Sequence, residues 1–262
     1  MGPGTSSWTV RERIDRLLVI RGLAPTRERA QRLIMSGGVR IGDRVVDKAG
    51  TLVDADVDVQ VVGDDLPYVG RGGLKLDAAL RRWPIDLAGR TALDVGASTG
   101  GFTDCLLQHG VARVVAIDVG YGQLDWKLRQ DPRVKLLERT NVRNLTAEMV
   151  GEKADLAVID VSFISLRLVL PPVVAVLLAP RDVVALVKPQ FEVGKGQVGK
   201  GGIVRDEAAQ LAAVEAIAAA AADLGLESQG WIESPILGAK GNREFLLRLR
   251  SAEERRSGRG RG

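Results

Sequence analysis

The sequence predicts an α/β fold: a seven-stranded, mostly parallel sheet with one antiparallel strand, preceded by a small α+β unit. Three observations predict it. From Gly70 onward, short apolar runs alternate with helical segments, the pattern of an open parallel sheet covered on both faces. The first of those runs opens into a glycine-rich turn and another helix. The first 65 residues differ from the rest, with two short amphipathic helices ahead of any strand.

In the first unit, Thr9-Val10-Arg11-Glu12 fits a capping box, with Ile14, Leu17 and Leu18 following at helical spacing and Gly22 ending the helix. Thr26 caps a second helix whose apolar face is Ala30, Leu33 and Ile34, and Ser36-Gly37-Gly38 stops it. Strands are predicted at Val39–Ile41, Val45–Val46 and Val57–Val61. Charge is segregated here. Trp8 to Arg44 holds nine Arg against four acids, and Val45 to Asp65 holds one Lys against six Asp. The helices therefore carry a basic face, which serves either as ordinary solvated surface or as a clamp on an RNA backbone.

In the second unit, strands are predicted at Thr91–Val95, Arg113–Asp118, Val134–Glu138, Leu156–Asp160 and Val183–Lys188. Two more, near Ser228–Ser234 and Glu244–Arg250, have no helix between them and should pair antiparallel. The alanine-rich stretch Ala208 to Ala222 reads as a buried or half-buried helix. The expected divisions are 8–65 for the first unit, 66–69 for a linker, 70–250 for the second unit and 251–262 for a flexible basic tail.

Composition excludes several classes. The chain has 262 residues, 45% hydrophobic, enough for a packed core. Cys105 is the only cysteine and His109 the only histidine, which removes disulfides, cysteine-cluster zinc and most histidine catalysis. Both residues read as packing or surface positions. No metal is expected. No stretch approaches about 18 uninterrupted apolar residues, and the N-terminus lacks a signal-peptide core. The expectation is a cytoplasmic protein with no membrane association and no obligate protein partner. Net charge is +4 and aromatics are 4%, so nucleic-acid binding would rest on charge and shape more than on stacking.

The turn that follows the first parallel strand is Asp94-Val95-Gly96-Ala97-Ser98-Thr99-Gly100-Gly101-Phe102. Small residues there let backbone approach a ligand closely. The spacing is not that of a dinucleotide fingerprint. Asp118 closes the next strand, where an acid commonly holds a ribose diol. Together they suit an adenosyl ligand without a pyrophosphate.

Lys75, Asp160, Lys188 and Glu244 form a second constellation. Asp160 and Lys188 end predicted parallel strands, and Glu244 begins the antiparallel one, so all three fall at the sheet edge where ligands bind. Lys75 lies on a helix whose other face is Leu76, Leu80 and Trp83. Two lysines and two carboxylates in one cleft can orient a hydroxyl and take its proton. Methyl transfer from a sulfonium needs alignment and proton removal. Lys188, its pKa lowered by Lys75 and partial burial, is the expected base. The loop Gly194 to Gly201 resembles a phosphate loop but lacks the terminal hydroxyl that binds magnesium. It reads either as a plain surface loop or as a basic loop touching substrate phosphates through Lys195 and Lys200.

Taken in order, several segments resemble the TlyA family, the so-called haemolysin A proteins, similar to FtsJ-type ribose 2′-O-methyltransferases of ribosomal RNA. They are Arg71-Gly72-Gly73-Leu74-Lys75-Leu76, the turn above, Ile117-Asp118-Val119-Gly120-Tyr121-Gly122-Gln123-Leu124, Glu138-Arg139-Thr140-Asn141-Val142-Arg143, Val161-Ser162-Phe163-Ile164-Ser165, Val187-Lys188-Pro189-Gln190-Phe191-Glu192-Val193-Gly194-Lys195 and Asn242-Arg243-Glu244-Phe245-Leu246. The resemblance spans nearly the whole chain. It implies a Rossmann-like class I methyltransferase behind an RNA-binding domain like that of ribosomal small-subunit protein four. It implies 2′-O-methylation of cytidine in rRNA of the small subunit and often the large, with S-adenosyl-L-methionine as cofactor and ribosomal subunits as partners. It implies a Lys75, Asp160, Lys188, Glu244 tetrad and cofactor contacts from Asp94, Gly96, Ala97, Ser98, Gly100, Gly101, Phe102, Asp118, Asn141 and Asp160. RNA contacts would fall on Arg11, Arg13, Arg27 and Arg40. The linker Leu66-Pro67-Tyr68-Val69 departs from the Trp-containing linker of some members, which removes the basis for expecting coupling through it. The arginine-glycine tail has no counterpart in the family pattern. The competing classes are an RNA-binding ribosome-assembly factor with a vestigial site and a membrane-active haemolysin.

Overall fold

The computed structural model describes residues 11–24, 26–35, 37–61 and 67–251. The chain divides into two compact units, Met1–Arg71 and Gly72–Gly262.

The first unit begins with a strand, β1 (Arg11–Arg13), followed by α1 (Ile14–Ile20) and α2 (Arg27–Met35). Four short strands follow: β2 (Val39–Ile41), β3 (Arg44–Val45), β4 (Leu52–Asp54) and β5 (Gln60–Val61). They form one sheet of order β3-β2-β5 and a separate β1-β4 pair, all antiparallel. The expected capping box rests on Thr9. Thr9 lies outside the described residues, and Arg11 and Glu12 are strand residues registered against Asp54 and Val53. The helix therefore starts at Ile14, later than the periodicity suggested, because backbone pairing with β4 competes for those residues. Thr26 does cap α2, accepting the Arg29 N–H at 3.1 Å. The predicted strand over Val57–Val61 is shorter, only Gln60–Val61 pairing with β2. Ile14, Leu18, Ile34 and Val39 are buried at the centre of the small core.

The second unit starts with α3 (Gly72–Arg82) and β6 (Thr91–Val95). Then come α4 (Gly101–Gln108), β7 (Arg113–Ile117), α5 (Trp126–Gln130), β8 (Val134–Leu137), α6 (Ala147–Val150) and β9 (Ala154–Ile159). The chain continues through α7 (Leu166–Val176), β10 (Leu177–Val187), α8 (Pro189–Glu192), α9 (Glu207–Ala222), β11 (Leu226–Glu233) and β12 (Phe245–Ser251). The seven strands lie in the order β11-β12-β10-β9-β6-β7-β8. β12 runs antiparallel to both of its neighbours and the rest are mutually parallel. Strands β6, β7 and β9 are almost continuous buried runs of Val, Ile, Leu and Ala, as expected where helices cover both sheet faces. α9 is capped by Asp206, which accepts the Ala208 N–H.

The chain builds β6, β7 and β8 outward and then crosses back to β9 on the other side of β6. That reversal is the topological switch point, and the carboxyl ends of β6 and β9 flank the crevice where ligands bind in such sheets.

Candidate active site

A cavity of about 780 Å³ opens at the switch point, within the range of small-molecule sites. Gly96 closes its floor. Its φ is +89°, and an added Cβ would sit 2.3 Å from the carbonyl oxygen of Asp160. The Asp160 N–H in turn donates to the Val95 carbonyl at 2.9 Å. Only glycine permits this approach of the two strand ends. Gly100, with φ +96°, precedes α4 and leaves room for Leu124 and Leu128.

Gly96, Ser98, Asp118, Asn141 and Asp160 line the cavity. Asp118 accepts the Ser98 N–H at 2.8 Å and the Gly120 N–H at 2.7 Å, which fixes its carboxylate and leaves lone pairs for a diol. Asn141 accepts the Arg143 N–H, holding the short turn behind it. Asp94, Ala97, Gly100, Gly101 and Phe102 are not cavity-lining; they support the turn from behind. Phe102 is buried against Gly72. Asp94 is fully buried, takes a 2.6 Å hydrogen bond from Thr103 Oγ1, and its Oδ1 has no partner. Burial pushes its carboxyl up to about 7 despite the Thr103 bond, and the charges of Asp160 and Asp118 add to the shift.

The four charged residues form two ion pairs. Lys188 Nζ lies 2.5 Å from Asp160 Oδ1 and donates to Ser162 Oγ at 2.9 Å. Lys75 Nζ donates to Glu244 Oε2 at 2.6 Å, with both side chains almost wholly buried. Val187 is registered opposite Phe245, so Lys188 and Glu244 follow at the same sheet edge. The lysines were expected to act on one another; each instead has a carboxylate as its contact.

Several residues of the site were not singled out from sequence. Ser165 caps α7 and donates to Glu192 Oε2 at 2.5 Å, while Glu192 Oε1 accepts the Leu166 N–H. This ties the loop after β9 to the loop after β10. Burial raises the Glu192 carboxyl above its ordinary range against those two bonds. Gly238 leaves space for Glu244, since a Cβ there would meet Oε1 at 1.9 Å. Phe163 lines the cavity, is 90% exposed, and holds φ +65°; its ring lies 5.1 Å from that of Phe191. A bulky exposed residue with positive φ is strained, a mark of functional loops. The available sequence signal was its place in the family-like segment Val161-Ser162-Phe163-Ile164-Ser165.

The predicted RNA-binding residues are placed as follows. Arg11 donates to the Leu52 carbonyl, Arg13 and Arg27 contact Asp15, and Arg40 is exposed on β2. In the second unit, Lys195 begins a 3-10 turn, Lys195–Gln197, and Lys200 is exposed in the turn bridged by Gly199 and Ile203. Asn242 pins this segment, accepting the Val204 N–H and donating to the Gly202 carbonyl.

Comparison with known proteins agrees with the fold of both units. The FtsJ-like methyltransferase family matches residues 68–251, and the S4 domain matches residues 12–59. The chain is 51% identical over 246 residues to the 16S/23S rRNA (cytidine-2′-O)-methyltransferase TlyA of Mycobacterium tuberculosis, covering 94% of this chain and 92% of that one. It is 39% identical over 236 residues to Hemolysin A of Brachyspira hyodysenteriae, covering 89% and 98% respectively. A solved structure from Streptococcus thermophilus, provisionally named a hemolysin, superposes with a TM-score of 0.74 at 43% identity, over 94% of this chain and 90% of that chain.

Proposed function

The chain belongs to the FtsJ-like methyltransferase family, and from that premise we propose that it methylates the ribose 2′-hydroxyl of cytidine in ribosomal RNA. The acceptor is rRNA of the small subunit and also of the large, the pair that the name of the Mycobacterium relative covers. The observation that carries the chemistry is Lys188, held 2.5 Å from the cavity-lining Asp160 and at the same sheet edge as Glu244.

The cavity suits S-adenosyl-L-methionine: a glycine floor and a fixed carboxylate for a diol. When bound, the cofactor supplies an electrophilic methyl group on sulfonium. The residues of this chain do the rest. Gly96 and Ser98 admit the ligand backbone-first, and Asp118 and Asn141 orient it. The 2′-hydroxyl is oriented by Lys188 Nζ and gives its proton to the Lys188–Asp160 pair as the methyl–oxygen bond forms, and Asp160 and Ser162 set the direction of that nitrogen. Lys75 and Glu244 form a neutralised pair at that same sheet edge, which lets two charges stay out of water.

The division of labour in this reading gives RNA binding to residues 8–65, with Arg11, Arg13, Arg27 and Arg40, and methyl transfer to residues 70–250. Residues 66–69 join them, and 251–262 form a basic tail. Lys195 and Lys200 contact RNA phosphates. A chain acting on ribosomal subunits works in the cytoplasm. The lytic alternative rests only on a relative's name; among the described residues no helix is long and apolar enough to cross a membrane.

The test is mass spectrometry of rRNA from cells with and without the gene, paired with transfer assays of Lys188→Ala. The reading requires that a 2′-O-methylcytidine disappear with the gene, and that the variant bind cofactor normally but transfer nothing. If no ribose methyl group is lost, the reading is wrong.

A further inference from the structure

Asp15 is the acidic residue in the first turn of α1, and it is completely buried. Burying a carboxylate is costly unless its lone pairs are satisfied. Here they are satisfied by an unusual set. Arg13 approaches with Nε at 3.0 Å and Nη2 at 2.9 Å. Arg27 Nε donates at 3.0 Å and Gln31 Nε2 at 3.1 Å, both to Oδ2. These donors hold the Asp15 carboxyl far below the usual carboxylate range, the Arg13 hydrogen bond contributing most.

The arginines are not consumed by the contact. Their side chains remain 44% and 53% exposed. Arg13 spends one edge of its guanidinium on Asp15, and Arg27 spends only Nε. Nη1 of Arg13 and both terminal nitrogens of Arg27 have no partner among the described residues. Free arginines on a surface lose rotamer entropy on binding, whereas a guanidinium already held in a fork loses less.

We propose that Asp15 is a positioning residue for RNA: it fixes Arg13 and Arg27 as a preformed two-arginine grip for backbone phosphate. The proposal rests on the reading of the first unit as the RNA-binding part. It makes a prediction opposite in sign to bulk electrostatics. Asp15→Asn adds one unit of positive charge to the chain, which alone would tighten binding to a polyanion. If Asp15 orients the arginines, the same change weakens binding.

The experiment measures binding of the full-length chain to an rRNA fragment across a salt series, for the parent, D15N, R27K, R13A/R27A and D15N/R13A/R27A. Far-ultraviolet dichroism and cofactor calorimetry accompany each variant. The expected result is a loss of about tenfold for D15N, the scale of one charge-assisted hydrogen bond, with cofactor binding unchanged and a shallower salt slope. D15N should cost nothing further once both arginines are gone. R27K keeps the charge but lacks the fork and should also weaken binding. Tighter or equal binding by folded D15N overturns the proposal, as does a further loss in the triple variant. If D15N fails to fold, R27K decides: parental affinity for R27K overturns the grip. Failure of the parent itself to bind rRNA would sink the RNA-binding reading instead, a separate outcome.

Discussion

Lys75 on α3 donates to Glu244 at the start of β12 at 2.6 Å, across 169 positions of sequence. Both side chains are buried, so the pair is a case where removing one partner costs more than removing both. Glu244→Ala should destabilise the second unit by about 3–5 kcal/mol, because it strands a buried ammonium. The double replacement K75M/E244L should recover most of that stability and still transfer no methyl group. Thermal unfolding and transfer assays on the three proteins decide it; a single variant as stable as the parent would show that the pair contributes nothing to the fold.

Asp94 gives a pH dependence. A carboxyl raised from 3.8 to about 7 keeps its proton in the fold and releases it on unfolding at any pH between those values. Folding stability from this group is therefore full below about pH 4 and is lost as pH rises through about 7. Asp94→Asn should be close to neutral below about pH 4 and should stabilise the cofactor-free protein increasingly from there to pH 8, by up to a few kcal/mol. Unfolding midpoints of both proteins from pH 5 to 8 would show diverging curves; parallel curves would mean that Asp94 ionises normally.

Gly96 and Gly110 separate strain from close approach. Their φ values are +89° and +88°, but a Cβ on Gly110 meets nothing within 4 Å. Gly110→Ala should cost about 1–2 kcal/mol, the conformational penalty alone, and should leave cofactor binding intact. Gly96→Ala must also displace the Asp160 carbonyl, so it should lose cofactor binding and considerably more stability. Equal effects in calorimetry and unfolding would contradict the account of the floor.

Phe163 combines exposure with left-handed backbone. Phe163→Gly relieves about 1–3 kcal/mol of backbone strain while losing the contact with Phe191, so it should be more stable than Phe163→Ala, which keeps the strain. Both should bind cofactor normally and methylate RNA poorly, since the ring lies at the cavity rim. Equal melting temperatures for the two variants would argue against strain.

The large sheet was readable because its strands are buried on both faces and appear as apolar runs with sharp ends. Thr91–Val95 matches β6 to the residue. β1 was unreadable: Arg-Glu-Arg has no apolar alternation, and it is a strand only because β4 pairs with it. Asp160, Lys188 and Glu244 could be placed at one edge from strand ends alone, whereas Lys75 was placed only on a helix ahead of the first strand. Which lysine meets which acid depends on register between β10 and β12 and on the approach of α3, which are tertiary facts. Gly238 and Glu192 act through space on Glu244 and Ser165, and nothing in their local sequence marks that. For the first unit, charge counting revealed the basic face but not Asp15 beneath it, because one of four acids among nine arginines reads as dilution of charge.

β12 lies inside the sheet, between β10 and β11, although it follows both in the chain. During synthesis β10 therefore waits with an open edge until some sixty residues later have emerged, and the wall formed by Glu244 arrives with the strand that closes it. Until then the growing chain has neither a finished sheet nor a working centre, and its bare strand edge invites pairing with other chains. A message cut before codon 244 would yield a product that is inert and prone to aggregate. The sheet is thus completed only by its last strand in sequence.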